Sequence, residues 1–253
     1  MLKMQKRITS KHVAILFCLV ICFVSCAHKS GHRRDRERPG TTMADCSNGK
    51  SSRSTARKSK IVNKRSSNKL EGSQIFDRYG SAVFMVFTTD GSNTYQGSGF
   101  FIDNGGLAVS NYHVFKGTGM GLEQIKLVGS DVAYKVTEII TRSEDEDFIL
   151  FRVDCENNNY IPIATEKPKI GEKVYAIGSP RGLENTFSSG EVSQWRADNL
   201  MQISALIDHG SSGGALINEY GEVVGITSGS FADGSQANLN YAWSIDIVKP
   251  YLR

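Results

Sequence analysis

Residues 208 to 216 read DHGSSGGAL, two adjacent serines in a glycine-rich turn ahead of an apolar run. Such small residues serve as ordinary turn chemistry, and the same pattern also serves to expose a nucleophile. A serine hydroxyl attacks a carbonyl at neutral pH only under three conditions. It needs a base in hydrogen-bond reach, a group that orients the base, and donors aimed at the developing oxyanion. Between residues 70 and 253 the chain has two histidines, His113 and His209. His209 lies three residues before Ser212 in the same tight turn, where its ring is poorly placed to reach a serine from the substrate side. His113 ends the run GLAVSNYHVF, where a strand gives way to a turn able to project a side chain into a cleft. It is the preferred base, and an acid from SEDEDFILFRVD is available to orient it.

Gly210-Ser211-Ser212-Gly213-Gly214 fits two templates. One is the G-x-S-x-G elbow of α/β-hydrolases, the other the G-x-S-G-G turn of trypsin-like proteases, and both make Ser212 the nucleophile. Chain order separates them. The α/β-hydrolase plan needs a histidine after the serine, and residues 213 to 253 contain none. The order His, Asp, Ser is available as His113, an acid among residues 144 to 147, and Ser212.

Five ordered stretches covering residues 73 to 253 resemble the trypsin-like serine proteases of the HtrA/Deg type. GSGFFIDNGGLAVSNYHVFKG resembles that family's hairpin ending in the catalytic histidine, and Asp147-Phe148-Ile149-Leu150 resembles its Asp-Ile-Ala-Leu signature, which selects Asp147. VYAIGSPRGLENTFSSGEVS and MQISALIDHGSSGGALINEYGEVVGI resemble its second-barrel motifs, and NLNYAWSIDIVKPYL its closing strand and helix. The resemblance implies an all-β fold of two six-stranded antiparallel β-barrels, near residues 74–160 and 161–245, with a short C-terminal helix. It implies a serine endopeptidase with His113, Asp147 and Ser212 as triad and no cofactor or metal. It further implies backbone N–H groups of Gly210 and Ser212 as the oxyanion hole, and Ser228, Gly229 and Ser230 as the strand that pairs with substrate. Leu206 falls at the base of the specificity pocket with no acid there, which favours an apolar side chain before the scissile bond. Two departures stand out. Asp208-His209 replaces the usual Asn-Pro before the nucleophile turn, and the chain ends without room for a PDZ domain. The first departure keeps open a protease-fold module that binds peptides without cleaving them.

The elements that must hold these residues are strands. VFMVFTT, GSGFFID, GLAVSN, IKLVG, VAYKVTEII, FILFRV, KVYAIG, MQISALI, EVVGITSG and LNYAWSI are short β-rich runs separated by turn signals such as TDGSN, DNGG and NEYGE. Strands without intervening helices argue for antiparallel barrels or sandwiches and against βαβ units. A short helix is predicted at SQIFDRYGSA and another at SIDIVKPYLR, where Pro250 limits it.

The N-terminus carries a secretion signal. Lys3, Lys6, Arg7 and Lys11 precede an apolar stretch from Val13 to Val24 and then small residues. Phe23-Val24-Ser25-Cys26 resembles a bacterial lipobox, which implies lipid attachment at Cys26 and a periplasm-facing lipoprotein; cleavage after Ala27 would instead release a soluble secreted protein. An uncleaved leader would instead serve as an anchor, and all three readings put the body outside the cytoplasm.

Charge divides the remainder. Residues 29 to 69 carry 13 Lys+Arg against 3 acids, net +10, and residues 70 to 253 carry 13 against 23, net −10. The segment 27–72 has almost no large apolar residue, so it reads as a disordered basic tether reaching roughly 40 Å. With no aromatic to stack on a base, it does not read as a nucleic-acid binder. It serves as a spacer or is drawn to anionic lipid or envelope polymer. Residues 73–253 form the protease-like domain, long enough to bury about 70% of the unfolded chain's surface. In the mature chain only Cys46 and Cys155 could pair, so no disulfide scaffold is present.

Overall fold

The computed structural model describes residues 68–119, 121–179, 185–230 and 239–252. The leader, the lipid site at Cys26, Cys46 and nearly all of the tether lie outside the described residues. The chain engages the body slightly before the predicted boundary at residue 73. Lys69 Nζ meets Glu219 Oε2 at 2.6 Å and the Leu70 N–H donates to Glu219 O at 2.6 Å.

The predicted first helix is α1, Gly72–Tyr79, followed by a 3₁₀ turn at Gly80–Ala82. A capping box starts it: Gln74 accepts the Glu71 N–H at 2.9 Å, while the Glu71 side chain takes the N–H of Gln74. Its buried residues, Ile75 and Tyr79, join a core that contains Val83 and Phe100 on one side and Tyr175 and Ile177 on the other. The helix thereby clips two β-systems together.

The first system comprises β1 Val83–Thr89, β2 Thr94–Phe101, β3 Leu107–Ser110, β4 Gln124–Leu127, β5 Ala133–Tyr134, β6 Val136–Ser143 and β7 Phe148–Val153, with a short helix α2, Tyr112–Phe115, after β3. Strand order is β5-β4-β1-β2-β3-β7-β6, a seven-stranded sheet rather than a closed six-stranded barrel. The difference has a local cause. β5 and β6 are one run of chain broken at Lys135; its first part pairs with β4 and its second with β7, so a single bent strand supplies both edges. The second system is a closed six-stranded antiparallel barrel, as predicted, in the order β10-β13-β12-β11-β8-β9. It is built from β8 Lys173–Gly178, β9 Thr186–Ala197, β10 Leu200–Ile203, β11 Ala215–Asn218, β12 Val223–Ser230 and β13 Asn240–Ser244.

Apolar runs such as VFMVF and FILF lack polar alternation because both of their faces are buried. Phe84, Val86, Ile149 and Phe151 fill the interior of the first system. Their neighbours Val83, Phe148 and Leu150 point the other way, into the core shared with the second barrel. Period-2 geometry thus puts alternate residues of one strand into two different cores.

The C-terminal helix predicted over SIDIVKPYLR is two 3₁₀ turns, Ile245–Ile247 and Lys249–Tyr251. Pro250 supplies no N–H to continue an α-helical ladder. Cys155 is 3% exposed, as a small buried residue should be, and it is also disulfide-bonded. Among the described residues no helix is long and apolar enough to cross a membrane.

Candidate active site

His113 sits on α2, at the exit of β3. Val114 and Phe115 turn inward, with the Phe115 ring 5.1 Å from that of Phe151, and Thr88 Oγ donates to Val114 O at 2.7 Å. These contacts anchor the helix to β7, which begins one residue after Asp147, and to β1, and leave the His113 side chain 46% exposed. Asp147 closes a turn in the left-handed region, φ 46°, which Asp tolerates better than most residues. The Asn111 amide fixes that turn by donating to Asp147 O at 2.8 Å. The aspartate carboxylate then grips His113 twice, accepting its backbone N–H at 2.9 Å on Oδ1 and facing ring Nδ1 at 2.8 Å with Oδ2. A proton on Nδ1 held this way leaves Nε2 as the basic nitrogen. The other acids of the run are elsewhere. Glu144 meets Lys116 Nζ at 2.5 Å, a hydrogen bond that raises the lysine's pKa, and Glu146 accepts from Asn199 at 3.2 Å.

The two serines have different lives. Ser211 is 8% exposed, and its backbone is fully used. Its N–H goes to Asp208 O at 3.0 Å, and its carbonyl accepts Gly214 N–H at 2.9 Å and Thr227 Oγ at 2.7 Å. Ser212 is half-buried, and among the described residues its hydroxyl and its N–H make no hydrogen bond, nor does the Gly210 N–H. The structure thus holds a bonded His113–Asp147 pair, with the Ser212 hydroxyl making no hydrogen bond among the described residues. Such a bond commonly tightens only with substrate in place. Two close approaches put Ser212 beside the pair. A Cβ on Gly97 would come 2.6 Å from Val114 Cγ1 and 3.2 Å from Ser212 O, so the residue after His113 and the serine turn flank the same glycine. A Cβ on Gly229 would lie 3.6 Å from Ser212 Oγ, while its neighbour Ser228 donates to Asp147 Oδ2 at 2.8 Å.

Gly213 cannot be replaced. Its φ is +87°, and a Cβ there would stand 2.2 Å from Ser98 O, a backbone atom with nowhere to go. Gly213→Ala is expected to destabilise the fold by about 2–4 kcal/mol, read as a lowered thermal midpoint, and to distort the serine turn with it.

The predicted substrate strand is the end of β12. β11 pairs with it only as far as Ile226, and Gly213 and Gly214 take Thr227, so residues 228–230 extend past their barrel neighbour on that side. A register shift between Thr227 and Gly229 marks a bulge at Ser228 and re-aims that side chain toward Asp147. Sequence reasoning gave Ser228 only a backbone role and gave Asn111 none. Both are small polar residues at the ends of apolar runs. Their partners lie 81 and 36 residues away, which no local pattern reveals.

Beside the turn lies a pocket of 420 Å³ whose lining includes Ile177, Phe187, Leu206, Ile207, Asp208 and Ser211. Leu206, which the resemblance puts at the base of the specificity pocket, lines this cavity and is 61% exposed, at its mouth. Asp208 adds a carboxylate to the wall of this cavity, and one of its oxygens accepts the His209 N–H at 2.7 Å. His209 itself is exposed and, among the described residues, is not part of the His–Asp pair.

The profile of the family described as "Trypsin-like peptidase domain" matches residues 97–226, just over half of the 253-residue chain. Protease Do-like 1, chloroplastic, of Arabidopsis thaliana is 28% identical over 180 residues, covering 64% of this chain and 40% of that protein. The probable periplasmic serine endoprotease DegP-like of Rhizobium meliloti is 32% identical over 159 residues, covering 59% of this chain and 31% of that protein. A crystal structure of the serine endoprotease from Yersinia pestis superposes with a TM-score of 0.64 at 26% identity, over 71% of this chain and 64% of that one. The chain therefore spans well under two thirds of the length of these curated relatives. With the seven-stranded sheet packed on a closed six-stranded barrel and the His113–Asp147 pair beside the Ser212 turn, the match places the chain: it belongs to the trypsin-like peptidases, of the HtrA/Deg type.

Proposed function

We propose that the protein is a serine endopeptidase that cleaves unfolded or envelope proteins outside the cytoplasm. The observation that carries the reading is the 2.8 Å contact from His113 Nδ1 to Asp147 Oδ2, itself braced by Ser228, beside a serine turn in which the Gly210 and Ser212 N–H groups make no hydrogen bond among the described residues. In this mechanism His113 Nε2 takes the Ser212 proton as Oγ attacks the scissile carbonyl. The oxyanion is received by the N–H groups of Gly210 and Ser212, and His113 then delivers the proton to the leaving amine, leaving an acyl-enzyme on Ser212. Water enters by the same route in reverse and releases the acid. Asp147 keeps the productive tautomer and stabilises the imidazolium. Substrate backbone adds to residues 228–230 as an antiparallel strand, and Ile177, Phe187, Leu206 and Ile207 favour an apolar side chain before the cut bond despite the Asp208 carboxylate in the same wall.

The leader and the lipobox-like Phe23–Cys26 support an envelope lipoprotein held through Cys26, with residues 27–68 as a basic spacer. The name of the Rhizobium relative, which includes "periplasmic", supports the same side of the membrane.

The test is direct. A denatured protein is incubated with the purified body, and new N-termini are mapped by mass spectrometry beside Ser212→Ala. Many Ser212-dependent cuts are expected. Tight peptide binding with no cuts by the wild type would replace this reading with a peptide-binding module on a protease fold.

A further inference from the structure

Ser98 lies in the run Gly97-Ser98-Gly99-Phe100 of β2, with no exposed surface. Each of its polar groups is used. Its N–H donates to Ser212 O at 2.8 Å and its carbonyl accepts Ser110 Oγ at 2.7 Å. Its hydroxyl donates to Gly210 O at 2.7 Å and accepts the Ser179 N–H at 2.9 Å. One residue of the first sheet therefore holds two carbonyls of the serine turn, and the end of β8 as well.

The geometry of the turn shows why the hydroxyl matters. In a trans peptide the C=O and N–H of one unit point opposite ways, so fixing the carbonyl aims the N–H. The Ser211 carbonyl is held by Gly214 N–H and Thr227 Oγ, which aims the Ser212 N–H. The other oxyanion donor lacks such support. The Gly210 N–H shares a peptide unit with the His209 carbonyl, which accepts no hydrogen bond among the described residues. Its direction relative to the Gly210 carbonyl is set by the torsions of Gly210, whose φ of +94° is a left-handed value that glycine adopts without strain, so a held carbonyl also sets the N–H. The Asp208 O to Ser211 N–H bond is internal to the turn and moves with it. The one described contact that fixes the Gly210 carbonyl from outside the turn is the Ser98 hydroxyl.

We infer that the Ser98 hydroxyl is a positioning residue that holds Gly210 so that its N–H converges with that of Ser212 on the developing oxyanion. This rests on the endopeptidase reading, and the hydroxyl acts through Gly210 without touching substrate.

The experiment compares wild type, Ser98→Ala, Ser98→Cys and Ser212→Ala on a peptide amide. It also measures affinity for a peptide boronic acid, whose tetrahedral adduct occupies the oxyanion site, and for the cleaved product peptide, which does not. For Ser98→Ala, kcat is expected to fall about 100-fold. KM should stay within about threefold. Boronate affinity should fall in parallel while product affinity holds, and Ser98→Cys, with a weak donor in place, should recover part of the loss. Wild-type kcat in a folded Ser98→Ala, a raised KM with unchanged kcat, or equal loss of both affinities each overturns the inference. If Ser98→Ala does not fold, Ser98→Cys decides: lowered kcat at constant KM supports it and wild-type kcat refutes it. Absence of Ser212-dependent turnover in the wild type overturns the endopeptidase reading and this inference with it; wild-type turnover matched by the Ser98 variants overturns this inference alone.

Discussion

Replacement of Ser212 by alanine is expected to lower kcat on a peptide amide by about 10⁶-fold, since nucleophile and base act as a unit and loss of either removes the covalent route. KM should change little, because the hydroxyl reacts rather than binds. Stability should be almost untouched: the hydroxyl makes no hydrogen bond among the described residues, so no partner is stranded by its removal. Ser211→Ala is the contrasting variant. Ser211 contributes its backbone to the turn, and those bonds survive the substitution. Activity within about tenfold of wild type is expected for it. Measuring kcat, KM and thermal midpoint for both variants checks the assignment, and a reversal of the two losses would move the nucleophile to Ser211.

Asp147→Asn comes second, with kcat expected to fall about 10⁴-fold. Three donors converge on this carboxylate: the His113 N–H, ring Nδ1 and the Ser228 hydroxyl. An amide has one acceptor oxygen, and its NH₂ must face at least one of those donors or force the imidazole into the other tautomer, with the proton on Nε2 and no base for Ser212. Ser228→Ala removes only one donor and leaves the His–Asp contact intact, so a loss of about tenfold is expected. Because the triad works as one device, Asp147→Asn combined with Ser212→Ala should be no slower than Ser212→Ala alone. Multiplying losses in the double variant would show that Asp147 acts on something other than the Ser212 route.

How much of this was legible before the structure follows from the range of each interaction. The strands were readable because VFMVF, FILF and EVVGI are local patterns, and the order His113, Asp147, Ser212 was readable because order along the chain survives folding. The break at Lys135 was not, since a strand that changes partners halfway looks like any other apolar-polar run. Nor was the C-terminal helix resolved into 3₁₀ turns, though Pro250 had already marked the weakness. At the site, the choice between Ser211 and Ser212 came from the template. What separates the two physically appears only in the fold, where Ser211 is buried and Ser212 is half-buried. Ser228, Asn111 and Ser98 act across 81, 36 and 112 residues, and each looks like an unremarkable small polar residue in sequence. Asp208 was visible as a letter, but its place in the pocket wall depends on how the turn is folded.

The central claim is that Ser212 is an activated nucleophile, and the most direct measurement is the intact mass of the purified protein after exposure to a fluorophosphonate. Wild type and Ser211→Ala should each gain one adduct, and Ser212→Ala should gain none. A folded wild type that stays unmodified, or an adduct that persists in Ser212→Ala, would contradict the account.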